Sequence, residues 1–215
     1  MSAPPSDRTR VRRYNQNARY DRETVHAILD AMPMCHIGYV FDGMPYVTPT
    51  LQWREGERVY WHGSSASRML RSAEDADVCL TVALLDGLVC ARSAYNFNVN
   101  YRSVMILGKA EKISDPVLKE AHLKTMMERF VPGHWDRLRP VTEQELKATS
   151  LLSMPITEAS AKVRTGQPED PPEDYAFPVW AGLVPIRQDV QAPIPDPRNL
   201  AGVVMPEDVL KFRVG

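Results

Sequence analysis

The turn His62-Gly63-Ser64-Ser65-Ala66-Ser67-Arg68 collects the groups that a phosphate ester needs. Gly63 frees the backbone for close approach. Ser64, Ser65 and Ser67 offer hydroxyl and amide donors, and Arg68 adds a guanidinium at the start of a helix-like run. A serine-rich turn that only caps a helix has the same composition, so this run alone is a weak pattern. A second concentration is Asn96-Phe97-Asn98-Val99-Asn100-Tyr101-Arg102-Ser103-Val104, with amides, aromatic rings, a guanidinium and a hydroxyl ahead of a strand. Such groups can bond the edge of a heterocycle and a polyol chain, or simply their own backbone. The third is Val47-Thr48-Pro49-Thr50-Leu51, where Thr50 and nearby backbone groups can face a flat ring and Pro49 suits an edge strand.

Other chemistry is thinly supported. His62, at a strand end beside the serine turn, is the one histidine singled out, against the equal alternative of a barrel-end histidine bonded to backbone. His26, His36, His122 and His134 share no ligand spacing, so no metal site is expected. Cys35, Cys79 and Cys90 are odd in number and form no CxxC pair, which reads as small buried hydrophobes in a reducing compartment. No paired carboxylates, Ser-His-Asp or Cys-His arrangement supports a hydrolase. The formal net charge of −1 excludes a domain-wide field for nucleic acid or an anionic membrane. The first thirteen residues are polar and basic, unlike a secretory signal, and the longest apolar run is too short to span a bilayer. A cytoplasmic protein is expected.

The elements that must position these residues are mostly strands. Met1 to Ala18 reads as a flexible basic arm. Asp21 caps an amphipathic helix on which Val25, Ile28, Leu29 and Met32 repeat at helical spacing, and Pro33 ends it. Cys35–Phe41, Pro45–Trp53 and Arg58–His62 form a meander about Asp42-Gly43 and Glu55-Gly56. Val78–Leu85 and Leu88–Ala94 read as a hairpin about Asp86-Gly87. Tyr95–Tyr101 reads as a loop, and Ser103–Ile113 as a long strand. Asp115-Pro116 starts a helix whose inner face is expected at Leu118, Ala121, Thr125, Met126 and Phe130. Thr142 and Glu145 form a capping box, and strands follow at Leu151–Thr157 and Val179–Ile186. The expected fold is mainly β (α+β), a six-stranded antiparallel split β-barrel with flanking helices. Residues 19–190 form the domain, and 191–215 a proline-rich extension.

In order and spacing, these segments resemble the pyridoxamine 5′-phosphate oxidase superfamily, in the branch of nitroimidazole-resistance reductases. The residues that carry the resemblance are Val40-Phe41-Asp42-Gly43, Pro49-Thr50-Leu51, Val59-Tyr60-Trp61-His62-Gly63-Ser64, Ser67-Arg68, Tyr101-Arg102-Ser103-Val104 with Gly108, and Val179-Trp180-Ala181-Gly182 with Pro185. The resemblance implies FMN in each of two grooves of a homodimer. Ser67 and Arg68 match phosphate-binding positions. Pro49, Thr50, Leu51, Tyr60, Trp61, His62 and Gly63 match the strands beside the ring, and Arg102 and Ser103 a flavin-contacting position. Trp180 matches a residue near the site. Met69 stands where the family often has lysine, so another cation is needed, and Lys162, Arg164 or an arginine of the N-terminal arm is the candidate. The arginine-leucine-x-proline pattern of true pyridoxamine phosphate oxidases is missing from the tail, which argues against a B6 phosphate as substrate. The implied activity is transfer of electrons from a reduced nicotinamide to a small nitro or quinone acceptor, with His62 or Arg102 beside the flavin. A non-catalytic flavin or haem binding protein and a deazaflavin-using relative remain alternatives.

Overall fold

The computed structural model describes residues 3–215, so the first two residues of the expected arm lie outside the described residues. In chain order the elements are β1 (Ala18–Arg19), α1 (Arg22–Ala31), β2 (Met34–Phe41), β3 (Met44–Glu55), β4 (Arg58–Ser64), α2 (Arg68–Ala73) and β5 (Asp77–Cys90). They continue with β6 (Asn98–Lys109), β7 (Glu111–Lys112), α3 (Pro116–Phe130), α4 (Glu143–Ala148), β8 (Thr149–Pro155), β9 (Glu158–Arg164) and β10 (Gly182–Pro185).

All strand pairs are antiparallel, in the order β1-β9-β6-β5-β2-β3-β4-β8-β7, with β10 added against β5. The α+β class is as expected. The strand count is not: the sheet has ten strands and its path does not close. The two end strands are only two residues long, which leaves little unpaired edge.

Local chemistry explains the turns. Asp42 and Gly43 both take positive φ, as a two-residue hairpin requires. The Asp21 carboxylate accepts from the Thr24 amide, and the Thr24 side chain first and then this amide hold its pKa below the usual value. Residues of period two on β2, β4, β5 and β6 (among them Ile37, Trp61, Leu80, Val82 and Ile106) meet Val25, Ile28 and Leu29 of α1 and Leu70 of α2 in one core. Gln52 is buried within it, and its amide donates to the Leu29 and Met32 carbonyls at 2.7 and 2.8 Å. It thereby satisfies the C-terminal end of α1. Cys35 is a buried thiol pushed up to about 12 by desolvation.

Three sequence expectations change. Asp86-Gly87 is not a hairpin: β5 runs through it, with a register shift between Leu85 and Gly87. The reason is packing, because β10 lies against this point. A Cβ on Gly87 would stand 2.9 Å from the Val184 carbonyl oxygen. The asparagine loop is shorter than expected, since β6 already begins at Asn98. On α3 the stripe Leu118, Ala121 and Thr125 faces outward, and Lys119 is the residue buried. The Lys119 ammonium donates to the Leu146 and Thr149 carbonyls at 2.9 and 2.8 Å, tying α3 to the end of α4. No helix among the described residues is long and apolar enough to cross a membrane.

Candidate flavin-binding site

β4 delivers the chain into the turn that precedes α2. There the Ser67 amide donates to the Ser64 carbonyl (2.8 Å), the Ala66 amide to the Ser64 hydroxyl (3.2 Å), and the Ser65 amide to the Ala148 carbonyl (2.8 Å). Ser67 is the N-cap of α2, yet its side chain makes no capping bond, so the hydroxyl is left for something else. The Arg68 guanidinium lies 4.3 Å from the centroid of Tyr46 and 5.4 Å from that of Phe41. Among the described residues it meets no carboxylate. The Tyr39 hydroxyl stands beside it, accepting from Thr48. That bond, and then Arg68, hold the phenol below its ordinary pKa against the opposing effect of burial.

Arg71, which sequence reasoning missed, stands one helical turn from Arg68. Its Nε donates to the Ser65 carbonyl at 3.0 Å, and among the described residues it too lacks a carboxylate. Its spacing from Arg68 was the available signal. Lys162 lies elsewhere. It lines a hollow of about 250 Å³ with Ser103, Thr81, Ala83 and the N-terminal residues Arg8 and Arg10. Arg164 donates to Asn100 and lines a polar hollow of about 410 Å³ with Tyr14, Tyr101 and Asn96.

Period two separates other pairs that looked adjacent. Pro49 and Leu51 point away from the main core, paired with His36 and Met34, and Leu51 packs half-buried against a second cluster of Trp53, Tyr60 and Leu151, whereas Thr50 pairs with buried Cys35 on the main-core side. Ser103 faces outward. Arg102 points the other way, where it grips Asp86 through two bonds of 2.8 and 2.9 Å. This pairing, led by the hydrogen bond, raises the guanidinium pKa and commits its charge within the chain. Trp61 and Met69 are buried in the main core. Tyr60 packs on Trp53 and His122. Trp180 is exposed and lies over Gly182, where a Cβ would meet the indole at 2.8 Å.

His62 presents its ring edge to Trp53, with centroids 5.8 Å apart. Its Nδ1 is buried without a partner, and desolvation lowers its pKa, so the neutral imidazole is the form this site favours. Among the described residues no cluster of three or more metal-ligating side chains forms.

Residues 21–163 match the family model described as pyridoxamine 5′-phosphate oxidase. The chain belongs to the pyridoxamine 5′-phosphate oxidase family. Within it, this member is 61% identical to the flavocytochrome Anf3 from Azotobacter vinelandii, with all of both chains covered and a TM-score of 0.97. It is 34% identical to an FAD and haem binding protein from Mycobacterium smegmatis, over 92% of this chain and 98% of that one, with a TM-score of 0.87. A protein from Bacteroides thetaiotaomicron named for 5-nitroimidazole antibiotic resistance shares the fold at 21% identity and a TM-score of 0.56, over 68% and 86% of the two chains. A search of curated proteins finds no match.

Proposed function

We propose that this family member is a flavin-dependent redox protein whose phosphate anchor is the turn Ser64–Arg68. The observation that carries the reading is the pair of guanidiniums, Arg68 and Arg71, free of carboxylate partners among the described residues, beside the Ser67 hydroxyl that makes no capping bond. Phosphate is the ligand such a set suits. The resemblance to the oxidases implies FMN. Two guanidiniums one turn apart suit the two phosphates of FAD, and the relative from M. smegmatis is named for FAD, so FAD is the form proposed.

A homodimer is part of the proposal, and the placement of two site residues within one chain supports it. Arg68 lies over Tyr46, and Tyr46 pairs with Tyr39 at the end of the core. Ser103 pairs with Ala83, four residues along β5 from the partner of Gly38, and faces outward. Four strand residues span about 13 Å, and the two side chains leave opposite faces of the sheet. In the proposed dimer a second copy brings its Ser103 to this Arg68, so that one flavin meets both. Val47 is 68% and Met34 49% exposed on the same outward face, an apolar surface that a second copy would cover.

When bound, the flavin would supply the redox chemistry, hydride transfer from a reduced nicotinamide and electron transfer to an oxidised acceptor. The chain's part is to hold the phosphate, shield the ring and keep His62 neutral as a hydrogen-bonding group beside it. Nitro and quinone compounds are the proposed small acceptors, in the cytoplasm. A second reading has support from the flavocytochrome that matches this chain along its whole length: a haem would take the electrons instead. An iron porphyrin needs an imidazole with one bare nitrogen near an apolar shelf, and such a residue is present.

The test is to denature pure protein, identify the released cofactors by absorbance and mass, and measure the oligomer by light scattering. Release of FAD from a dimer supports the proposal. A flavin-free chain that also ignores added FMN and FAD overturns it.

A further inference from the structure

Resting on the haem reading above, we propose that His122 is the residue that would hold a haem iron, through Nε2, and that Glu55 and Trp53 fix its orientation. The five histidines differ sharply in what holds them. His26 turns a buried Nε2 toward Glu57 at 3.5 Å, and His62 and His134 each bury an unpartnered Nδ1. His36 stands exposed on the apolar face assigned above to the second copy, with no hydrogen bond to orient its ring. His122 is different: its Nδ1 lies 3.0 and 3.1 Å from the two carboxylate oxygens of Glu55. The carboxylate is itself pinned by the indole N–H of Trp53 at 2.7 Å.

That pair decides the tautomer. With Nδ1–H donated to Glu55, Nε2 carries the bare lone pair, and Glu55 is the only hydrogen-bond partner of the ring among the described residues. Histidines that ligate metals commonly donate their other ring nitrogen to a carboxylate, which fixes the ring and makes the ligating nitrogen more basic. The Tyr60 ring, 4.5 Å away, supports the imidazole from the sheet side.

The surroundings suit a porphyrin. Leu118, Ala121 and Thr125 sit four residues before, one before and three after His122, all turned outward. Val117 is 74% and Leu118 53% exposed, so this chain leaves the stripe uncovered. Thr125 spends its hydroxyl on the Ala121 carbonyl at 3.1 Å, and Ala121 is small enough to let a flat ring approach. The arrangement also accounts for a helix whose outward stripe has the apolar pattern of an inner one.

The experiment uses the full chain expressed in haem-replete cells, with haem and flavin counted per chain by absorbance. H122A is expected to lower haem content by at least about tenfold while flavin content stays at the wild-type level, which also reports folding. H122M is expected to retain haem with shifted Soret and visible bands, a change that loss of a purely structural contact would not produce. E55Q is expected to keep the haem and raise its midpoint potential, because a less basic imidazole stabilises ferric iron less. Wild-type haem content and spectrum in H122A, or unshifted bands in H122M, overturn the assignment. A wild-type chain that carries no haem and takes up no added haemin overturns the haem reading and this assignment with it, leaving the flavin proposal standing.

Discussion

Replacing Arg68 by alanine separates binding from folding with unusual clarity. The guanidinium is exposed and has no carboxylate among the described residues, so its removal strands no buried charge. What the fold loses is its contact with Tyr46 and Phe41, worth about 0.5–1 kcal/mol at an exposed site. For a chain of this size that lowers Tm by roughly 2–4 °C. What binding loses is larger. Hydrogen bonds to a charged partner contribute about 1.5–3 kcal/mol each, and the planar fork can make two. Discounted for solvent, the loss is roughly 3 kcal/mol, or about a hundredfold in Kd. Titration of apoprotein with FMN and FAD, followed by flavin fluorescence and paired with a thermal melt, measures both quantities. Arg71→Ala refines the result: it should weaken FAD by about tenfold and leave FMN nearly unchanged. If Arg68→Ala binds both flavins within about threefold of wild type, the turn is not the phosphate anchor and the argument from unpaired guanidiniums fails.

Other perturbations test the frame around that site. Gln52→Leu removes the donor to two buried carbonyls of α1 and should cost about 2–4 kcal/mol in denaturant unfolding. Gly87→Ala places a methyl against the Val184 carbonyl, and should cost about 1–3 kcal/mol and speed amide exchange across β10. Burial holds His62 below its ordinary value of 6.5, so the unfolded chain takes up that proton first as pH falls. Stability is then full above the unfolded value and declines as pH drops through the window beneath it. His62→Gln should flatten that decline in unfolding curves collected across the window, and an unchanged slope would remove the imidazole from the account.

Much of the fold was legible because its signals are local. Asp42-Gly43, the Asp21 and Asp115 caps and the Thr142–Glu145 capping box all depend on residues within a few positions, and all four appear as read. Asp86-Gly87 carries the same dipeptide pattern as Asp42-Gly43 and yet lies within a strand. Its conformation is decided by Arg102, sixteen residues on, and by β10, about a hundred residues on. Turn propensity loses there to a tertiary pairing that offers Asp86 a charge partner and Gly87 a close backbone neighbour. The inner face of α3 departs from the apolar spacing for a similar reason. Apolar spacing selected Leu118, Ala121 and Thr125, but the helix is fastened by Lys119 to α4 and by His122 to Glu55, contacts with no apolar period to reveal them.

The candidate site was legible in its chemistry and illegible in its geometry, and the cause is the same alternation that makes strands readable. Arg102 and Ser103 are neighbours in the chain, so a motif joins them, yet a pleated strand sends them to opposite faces. The motif therefore records two jobs. Arg102 neutralises Asp86 where β5 breaks register, which holds the strand that carries the outward hydroxyl of Ser103. Replacing Arg102 should accordingly act on stability through an abandoned Asp86 carboxylate. Arg102→Ala with Asp86→Ala should recover much of the loss, since the double variant leaves no unpaired charge. A direct contact of Arg102 with the cofactor predicts the opposite: flavin affinity would stay low in the double variant even as its melting temperature returned. The two measurements on one pair of proteins decide which face of β6 the flavin uses.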